Sequence, residues 1–178
     1  RAYTGSTMKL GDSNIFVCCV FLLLVYRLTM SLAICTISPD VSGHVSIPDG
    51  VETIGNKAFF ECTNLKSVTI PDSAMSIGNF SFYGSSLESV SIPGSVIDIG
   101  SYAFSSCAML QSATIEDSTD SSSGARAKVN LGQYAFYNCS SLASVTIGNS
   151  VTSISDDAFG LCASLASVTI GNSVTSIG

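Results

Sequence analysis

The chain has 178 residues, of which 46% are hydrophobic and 11% are charged, and its formal net charge is −6. The apolar content excludes an intrinsically disordered chain, because burying it offsets the entropy lost on folding. The acidic balance argues against nucleic-acid binding, which needs a basic surface. A single histidine, His44, leaves little for acid–base catalysis or metal binding. We therefore expect no catalytic residues, no metal and no cofactor, and a chain that is not an enzyme.

Residues 1–39 form an apolar leader, in which Ile15–Tyr26 is a run of twelve apolar residues. Twelve helical residues rise only about 18 Å, which is too short for the roughly 30 Å hydrocarbon core of a bilayer. Because the basic Lys9 precedes the run and small residues follow it, the segment fits a secretory signal peptide. Two alternatives stay open: a membrane anchor that carries Arg27 within it, and mispredicted sequence fused to the protein. If the leader is retained, it is the one expected membrane contact.

The rest of the chain, residues 40–178, repeats itself with a period of 23 residues. The second unit lacks one residue beside Gly84, and a nine-residue insertion, residues 119–127, follows the third unit. The units occupy residues 51–73, 74–95, 96–118, 128–150 and 151–173, and a further unit opens at 174–178. One unit alone cannot bury its apolar residues, whereas stacked identical coils bury them continuously. The repeat therefore predicts a solenoid, and its interruption at Gly178 indicates a fragment that is incomplete at the C-terminus.

Each unit contains a short strand and a turn. The segment L-x-S-V-T-I, as in Leu165–Ile170, is β-branched and alternates between polar and apolar residues, which predicts one parallel strand per coil. Proline or glycine follows the strand and ends it. The segment x-x-A-F-x-x-C, as in Asp156–Cys162, predicts a short helical turn on the other side of the coil, with Asp156 as its N-cap.

The unit L-x-S-V-T-I-P-x-S-V-x-x-I-G-x-x-A-F-x-x-C resembles the BspA-type (Treponema-type) leucine-rich repeat over residues 44–178. The resemblance implies a curved α/β solenoid of the leucine-rich-repeat class, with short helical turns opposite the strands. It also implies a secreted or cell-surface protein that binds other proteins or matrix. The family has no shared catalytic residues, so the resemblance assigns none.

The seven cysteines fall into two groups. Cys18, Cys19 and Cys35 lie in the leader and are expected to be apolar filler or sites of lipid modification. The other four share one position, three residues after a phenylalanine: Cys62, Cys107, Cys139 and Cys162. Their separations match no zinc motif, so we expect a column of buried thiols in the core. A disulfide between Cys139 and Cys162 in adjacent coils is the alternative.

Among the remaining polar residues, none forms a motif that specifies catalysis. His44 has no second histidine to work with and is expected to be exposed to solvent. The pair Asp156-Asp157 fits a helix cap. The group Glu116, Asp117 and Asp120 fits a solvated loop.

The strands supply the candidate binding surface. If the valines and isoleucines of each strand point inward, the serines and threonines between them point outward. Stacking of the coils then produces two rows of hydroxyls across one sheet: Ser67, Thr69, Ser89, Ser91, Ser112, Thr114, Ser144, Thr146, Ser167 and Thr169. These rows predict a hydrogen-bonding surface for a protein or glycan partner. The strands lack aromatic anchors, so we expect modest affinity.

The leading functional hypothesis is a non-enzymatic, secreted or cell-surface binding module. One alternative is the ligand-binding ectodomain of a longer receptor or enzyme whose effector domain is missing from the sequence. A second alternative is an ice-binding surface protein that uses the ladder of serines and threonines.

Overall fold

The computed structural model describes residues 35, 37–117 and 129–178. Most of the predicted leader, and the whole of the predicted insertion at 119–127, therefore lie outside the described residues. The described part forms short parallel strands: β1 His44–Ser46, β2 Thr53–Ile54, β3 Ser67–Thr69, β4 Ser76–Ile77, β5 Ser89–Ile92, β6 Asp98–Ile99, β7 Ser112–Ile115, β8 Val129–Leu131, β9 Ser144–Ile147, β10 Val151–Ile154, β11 Ser167–Ile170 and β12 Ser176–Ile177.

The strands stack as a parallel β-solenoid, and each coil contributes to two sides of it. The even-numbered strands form one continuous sheet in the order β12-β10-β8-β6-β4-β2. The odd-numbered strands form the other side, as a four-stranded sheet β11-β9-β7-β5 and a separate pair β1-β3. The prediction of one strand per coil is therefore wrong. The second strand was missed because most of its copies are only two or three residues long, too short to show an alternating pattern.

The core is a stack of phenylalanines, one from each coil. The rings of Phe59, Phe82, Phe104 and Phe136 are fully buried, and successive ring centroids lie 4.9–5.0 Å apart with nearly parallel planes. This separation matches the spacing of hydrogen-bonded strands, because the rings follow the same axial repeat as the backbone. Phe159, in the last coil, is 5.4 Å from Phe136 and only partly buried. The apolar side chains of the repeat therefore form one continuous core.

The segment around each core phenylalanine is a series of turns, and the expected short helix is not present. No residue in 37–117 or 129–178 is helical. Two positions per coil adopt left-handed backbone conformation, as at Lys57 (φ 59°) and Glu61 (φ 53°) in the first coil. Left-handed residues interrupt a right-handed helix. Within the part of the chain that is described, accordingly, no helix is long and apolar enough to cross a membrane.

Hydrogen bonds between coils stabilise these left-handed turns. The backbone N–H groups of Lys57, Phe59 and Glu61 point along the solenoid axis and donate to carbonyls of the next coil, at 3.0, 2.6 and 2.6 Å. A helix would have directed the same groups back along its own chain. A left-handed residue other than glycine costs about 1–2 kcal/mol, and these inter-coil bonds offset that cost.

Close stacking requires glycine after the even-numbered strands β4, β6 and β8, at Gly78, Gly100 and Gly132. A Cβ placed on Gly132 would lie 2.6 Å from the carbonyl oxygen of Ile99 and 2.7 Å from the carbonyl carbon of Gly100, both in the coil before. A real side chain does not approach backbone atoms this closely. Gly132 is therefore needed because of contact between coils, and its φ is not in the left-handed region.

Candidate functional site

The ten predicted hydroxyls lie on the outer face of the odd-numbered strands, which we call the hydroxyl face. In β5 and β9 the pattern is strictly alternating, with exposed serine or threonine and buried valine or isoleucine. The register aligns the hydroxyls in two rows along the four-stranded sheet: Ser89, Ser112, Ser144 and Ser167 in one, and Ser91, Thr114, Thr146 and Thr169 in the other. Ser67 and Thr69 occupy the equivalent places in β3. That these residues contact a partner stays a prediction.

His44 lies on the hydroxyl face and is not the solvated side chain that was expected. It is paired in register with Ser67 and is only partly exposed. Its Nδ1 lies 2.8 Å from the Ser67 hydroxyl, and its Nε2 lies 3.3 Å from the Thr69 hydroxyl. Asp40 accepts the backbone N–H of His44 at 3.0 Å and does not bond to the ring. Within the described residues, then, this histidine bridges two hydroxyls and is not part of a Ser–His–Asp arrangement.

The Asp40 turn holds His44 in place. The Oδ1 atom of Asp40 accepts the hydroxyl of Ser42 at 2.6 Å and its backbone N–H at 2.8 Å, besides the His44 N–H. These hydrogen bonds stabilise the charged form of Asp40 and hold its pKa below the ordinary value of 3.8, and the bond from the Ser42 hydroxyl contributes most to this shift.

A cleft interrupts the hydroxyl face between β3 and β5, which are not paired in the described structure. In the later coils, the residue after the strand donates its N–H to the isoleucine carbonyl of the coil before, as Glu116 does to Ile92 at 2.9 Å. Pro93 occupies this position in the second coil, and proline has no N–H to donate to Ile70. One hydrogen bond between these two coils is therefore absent at Pro93. The cleft has a volume of about 210 Å³ and is lined by Val68, Thr69, Ile70, Asp72, Ser91, Pro93 and Glu116.

Hydrogen bonding orients the acidic residues next to this cleft. Glu116 accepts the Ser91 hydroxyl at 2.6 Å, and Asp117 accepts the side-chain N–H of Asn149 at 3.1 Å. Both residues are exposed and lie outside the strands, so the expectation of a solvated loop is confirmed for these two. Asp120 lies outside the described residues. Asp156 caps no helix, and its carboxylate is 3.5 Å from the Gln133 amide nitrogen.

A second feature, which we call the aromatic ridge, lies on the turns that connect each even-numbered strand to the next odd-numbered strand. It consists of partly buried rings at two positions of the unit, two residues before and one residue after the core phenylalanine: Phe60, Phe80, Tyr83, Tyr102, Tyr134 and Tyr137. Phe80 stacks on Tyr102, and Tyr102 on Tyr134, with centroids 4.8 Å apart. The Lys57 ammonium is 5.6 Å from the Phe60 centroid. The nearby negative charge of Asp157 raises the pKa of Tyr134.

Sequence reasoning missed the aromatic ridge, although the signal was available. Aligning the units by their core phenylalanine shows an aromatic residue at each of these two positions in three units. Attention to the strands alone left these turn positions out. The ridge supplies the aromatic contact area that the strands lack, and aromatic residues commonly dominate binding energy.

The cysteine column is only partly the ladder of thiols that was expected. Cys62 forms a disulfide with Cys35, with Cα atoms 5.4 Å apart, so Cys35 is not apolar filler and Cys62 is not a free thiol. Ser85 takes the cysteine position in the second coil, and its hydroxyl is 3.3 Å from the Cys107 sulfur. Cys139 and Cys162 are both free, so the alternative of a disulfide between them is wrong. Cys18 and Cys19 lie outside the described residues.

The three free thiols act as hydrogen-bond donors in the core. Each donates at 3.1 Å to the phenylalanine carbonyl of the coil before: Cys107 to Phe82, Cys139 to Phe104 and Cys162 to Phe136. Burial raises the pKa of Cys107 from 9.0 to about 11. The adjacent Cys162 thiol, together with burial, also raises the pKa of Cys139. The Cys107 and Cys139 thiols are therefore protonated at neutral pH. The interaction with Cys139 instead lowers the pKa of Cys162. Among the described residues, no group of three or more histidine, cysteine or acidic side chains is placed to hold a metal ion.

The chain is similar to several solved leucine-rich-repeat structures. A leucine-rich repeat protein from Bacteroides ovatus matches 76% of the chain at 27% identity, with a TM-score of 0.65, over 33% of its own length. A leucine-rich repeat protein from Eubacterium ventriosum matches 72% at 26% identity, with a TM-score of 0.64, also over 33% of its length. The leucine rich repeat protein of T. pallidum matches 77% at 30% identity, with a TM-score of 0.50, over 73% of its length.

The chain thus spans about a third of the length of the first two of these proteins. No curated protein sequence is significantly similar to it. The family model for the BspA type leucine rich repeat region matches residues 42–127 and 129–178 with six copies. These ranges cover most of the chain, and they include every strand described above. The chain belongs to the BspA-type leucine-rich repeat family.

Proposed function

We propose that the chain is a non-enzymatic recognition module that binds a protein or glycan partner through the hydroxyl face. The observation that carries the proposal is the alignment of exposed hydroxyls in two rows on a rigid parallel sheet. Serine and threonine hydroxyls donate and accept hydrogen bonds, so the rows can satisfy polar groups of either ligand class. Solenoid faces of this type provide extended binding surfaces.

We further propose that the module acts in a secreted or cell-surface location. The Cys35–Cys62 disulfide supports this, because structural disulfides persist in oxidising compartments and are rare in the cytosol. Peptide mapping of the non-reduced, alkylated chain should recover a linked Cys35–Cys62 peptide and alkylated Cys107, Cys139 and Cys162. Complete alkylation of Cys35 and Cys62 without reductant would remove this support.

The binding assignment is tested by placing a large charge on the face and screening defined ligands. The probes are an array of purified glycans and a panel of purified matrix proteins, applied to the full chain. Ser144→Arg, at the centre of the hydroxyl face, should weaken any ligand that binds there by about tenfold or more, because it blocks contact and adds an unpaired charge. Asn130→Arg is the matched control, since Asn130 is exposed on β8 of the opposite sheet.

A Tyr102→Ala variant of the aromatic ridge decides between the two exposed features. Loss of binding with Ser144→Arg but not with Tyr102→Ala supports the hydroxyl face. The reverse result assigns recognition to the ridge and refutes the proposed site. Absence of binding above that of a heat-unfolded sample, across both probe sets, would refute recognition by this module.

A further inference from the structure

We propose that the cleft between β3 and β5 is a pocket for one basic side chain, lysine or arginine, of a partner protein. The inference rests on the proposed function, because it makes the cleft a specificity site of the hydroxyl face. It adds the chemistry of the ligand group and the place where that group is held.

The cleft offers hydrogen-bond acceptors. The Asp72 and Glu116 carboxylates lie among its lining residues, and the Ile70 carbonyl lacks the ladder donor that Pro93 cannot supply. The Ser91 hydroxyl proton is used in the 2.6 Å bond to Glu116, which leaves the Ser91 oxygen free to accept. A ligand rich in donors and positively charged therefore satisfies the site, whereas an anion meets repulsion and no free donor at these groups.

The size and the apolar lining of the cleft favour a single side chain. Val68, Ile70 and Pro93 are its apolar lining residues, and the half-buried Val68 can contact a methylene stem whose charged end lies at the carboxylates. The volume of about 210 Å³ is below the usual size of a pocket for a whole small molecule and leaves room for one side chain.

The charge of the surrounding solenoid points to the same ligand. The described residues carry eleven acidic side chains and two lysines, Lys57 and Lys66. Neither lysine lines the cleft. An acidic surface attracts basic partners and orients them as they approach. The cleft is the place on this surface where a basic group can also bury its stem.

The experiment uses the full chain labelled with ¹⁵N and a short peptide, acetyl-Gly-Gly-Lys-Gly-Gly-amide, followed by amide chemical shifts. Parallel titrations use the same peptide with arginine, with Nε-acetyl-lysine and with glutamate. The expected result is saturable shifts at Val68, Thr69 and Ser91, with a millimolar dissociation constant that rises with salt. The acetyl-lysine and glutamate peptides should cause none of these shifts. Comparison of lysine with arginine decides which basic side chain the cleft prefers.

Asp72→Asn and Glu116→Gln should each weaken binding of the lysine peptide by about tenfold, because each substitution removes a charged acceptor and leaves the shape of the cleft unchanged. Asp98→Asn is the matched control: it removes the same charge from an exposed position on β6, in the opposite sheet. We expect its affinity to equal that of the unaltered chain. Circular dichroism of each variant separates loss of binding from loss of fold.

Three outcomes overturn the proposal. Shifts that do not saturate, or that spread over the whole acidic surface, reduce the effect to non-specific attraction. If Asp98→Asn weakens binding of the lysine peptide as much as Asp72→Asn does, the effect is again non-specific attraction. Binding that appears only after Arg126→Gln and Lys128→Gln are introduced together assigns the cleft to the basic side chains of this chain itself. In each case glycan or matrix binding that Ser144→Arg abolishes would still stand, so the proposed function and this inference fail separately.

Discussion

Replacing Phe136 with alanine tests whether the stacked phenylalanines hold the coils together. The Phe136 ring is fully buried, and it lies between Phe104 at 5.0 Å and Phe159 at 5.4 Å. Alanine removes the whole ring from the interior and leaves a cavity with partners on both sides. Changes from phenylalanine to alanine in protein cores cost about 3–5 kcal/mol. Full burial and two stacked neighbours place Phe136→Ala in that range.

Phe159→Ala is the matched control. The same atoms are removed, but Phe159 is only partly buried and stacks on one phenylalanine. We expect it to cost about 1–3 kcal/mol, because less apolar area leaves water in the intact chain and solvent can fill part of the space. The difference between the two variants measures what an interior position in the stack contributes.

The assay is equilibrium urea unfolding of the full chain, followed by far-ultraviolet circular dichroism and by tyrosine fluorescence, since the chain has no tryptophan. A solenoid can lose cooperativity between coils, so the m value must be compared along with the midpoint. A loss below about 1 kcal/mol for Phe136→Ala, at an unchanged m value, would refute the shared core. Equal losses for the two variants would refute the argument from burial.

Three further predictions concern other parts of the solenoid. Ser144→Ala should change the unfolding free energy by less than about 0.5 kcal/mol, because the side chain is exposed on β9, and severe destabilisation in urea would place it inside the core. Cys107→Ser should remove a loss of stability that the unaltered chain shows at alkaline pH. Burial raises the pKa of Cys107, so the stability gained from the protonated thiol is complete below pH 9 and is lost as the pH rises through about 11. This loss amounts to at most about 3 kcal/mol. The prediction is wrong if the urea midpoints of the two proteins fall equally as the pH rises. Gly132→Ala should cost about 1–3 kcal/mol because its Cβ meets backbone of the coil before, whereas Gly55→Ala, with open space around it, should be nearly neutral in thermal melts.

The candidate site could be predicted from the sequence only where it depends on alternation. In Ser144–Ile147, the polar–apolar pattern is enough to place serine and threonine outward, since successive strand residues point to opposite faces. The position of His44 between two hydroxyls could not be predicted from alternation, because it depends on the register of β1 against β3, which pairs His44 with Ser67. The aromatic ridge could have been predicted, because aligning the units by their core phenylalanine places its rings at two shared positions.

The turns show why the local sequence pattern led to the wrong prediction of a short helix. The spacing of Phe159 and Cys162 is compatible with a helical turn, and nothing local opposes it. In the solenoid, alternate N–H groups bond to the neighbouring coil, as those of the left-handed residues Tyr134 and Asn138 do. The hydrogen-bond partners are distant in sequence, so a reading of one unit could not include them.

The sequence by itself determined that this chain is a solenoid, which side chains form its core and which strand residues face outward. The physical reason is that a 23-residue unit cannot bury its own apolar residues, and repetition leaves stacking as the way to do so. Only the tertiary structure decided the pairing of Cys35 with Cys62 and the opening of the cleft at Pro93. Both depend on residues far apart in the sequence meeting in space, and the sequence of a single unit contains neither contact.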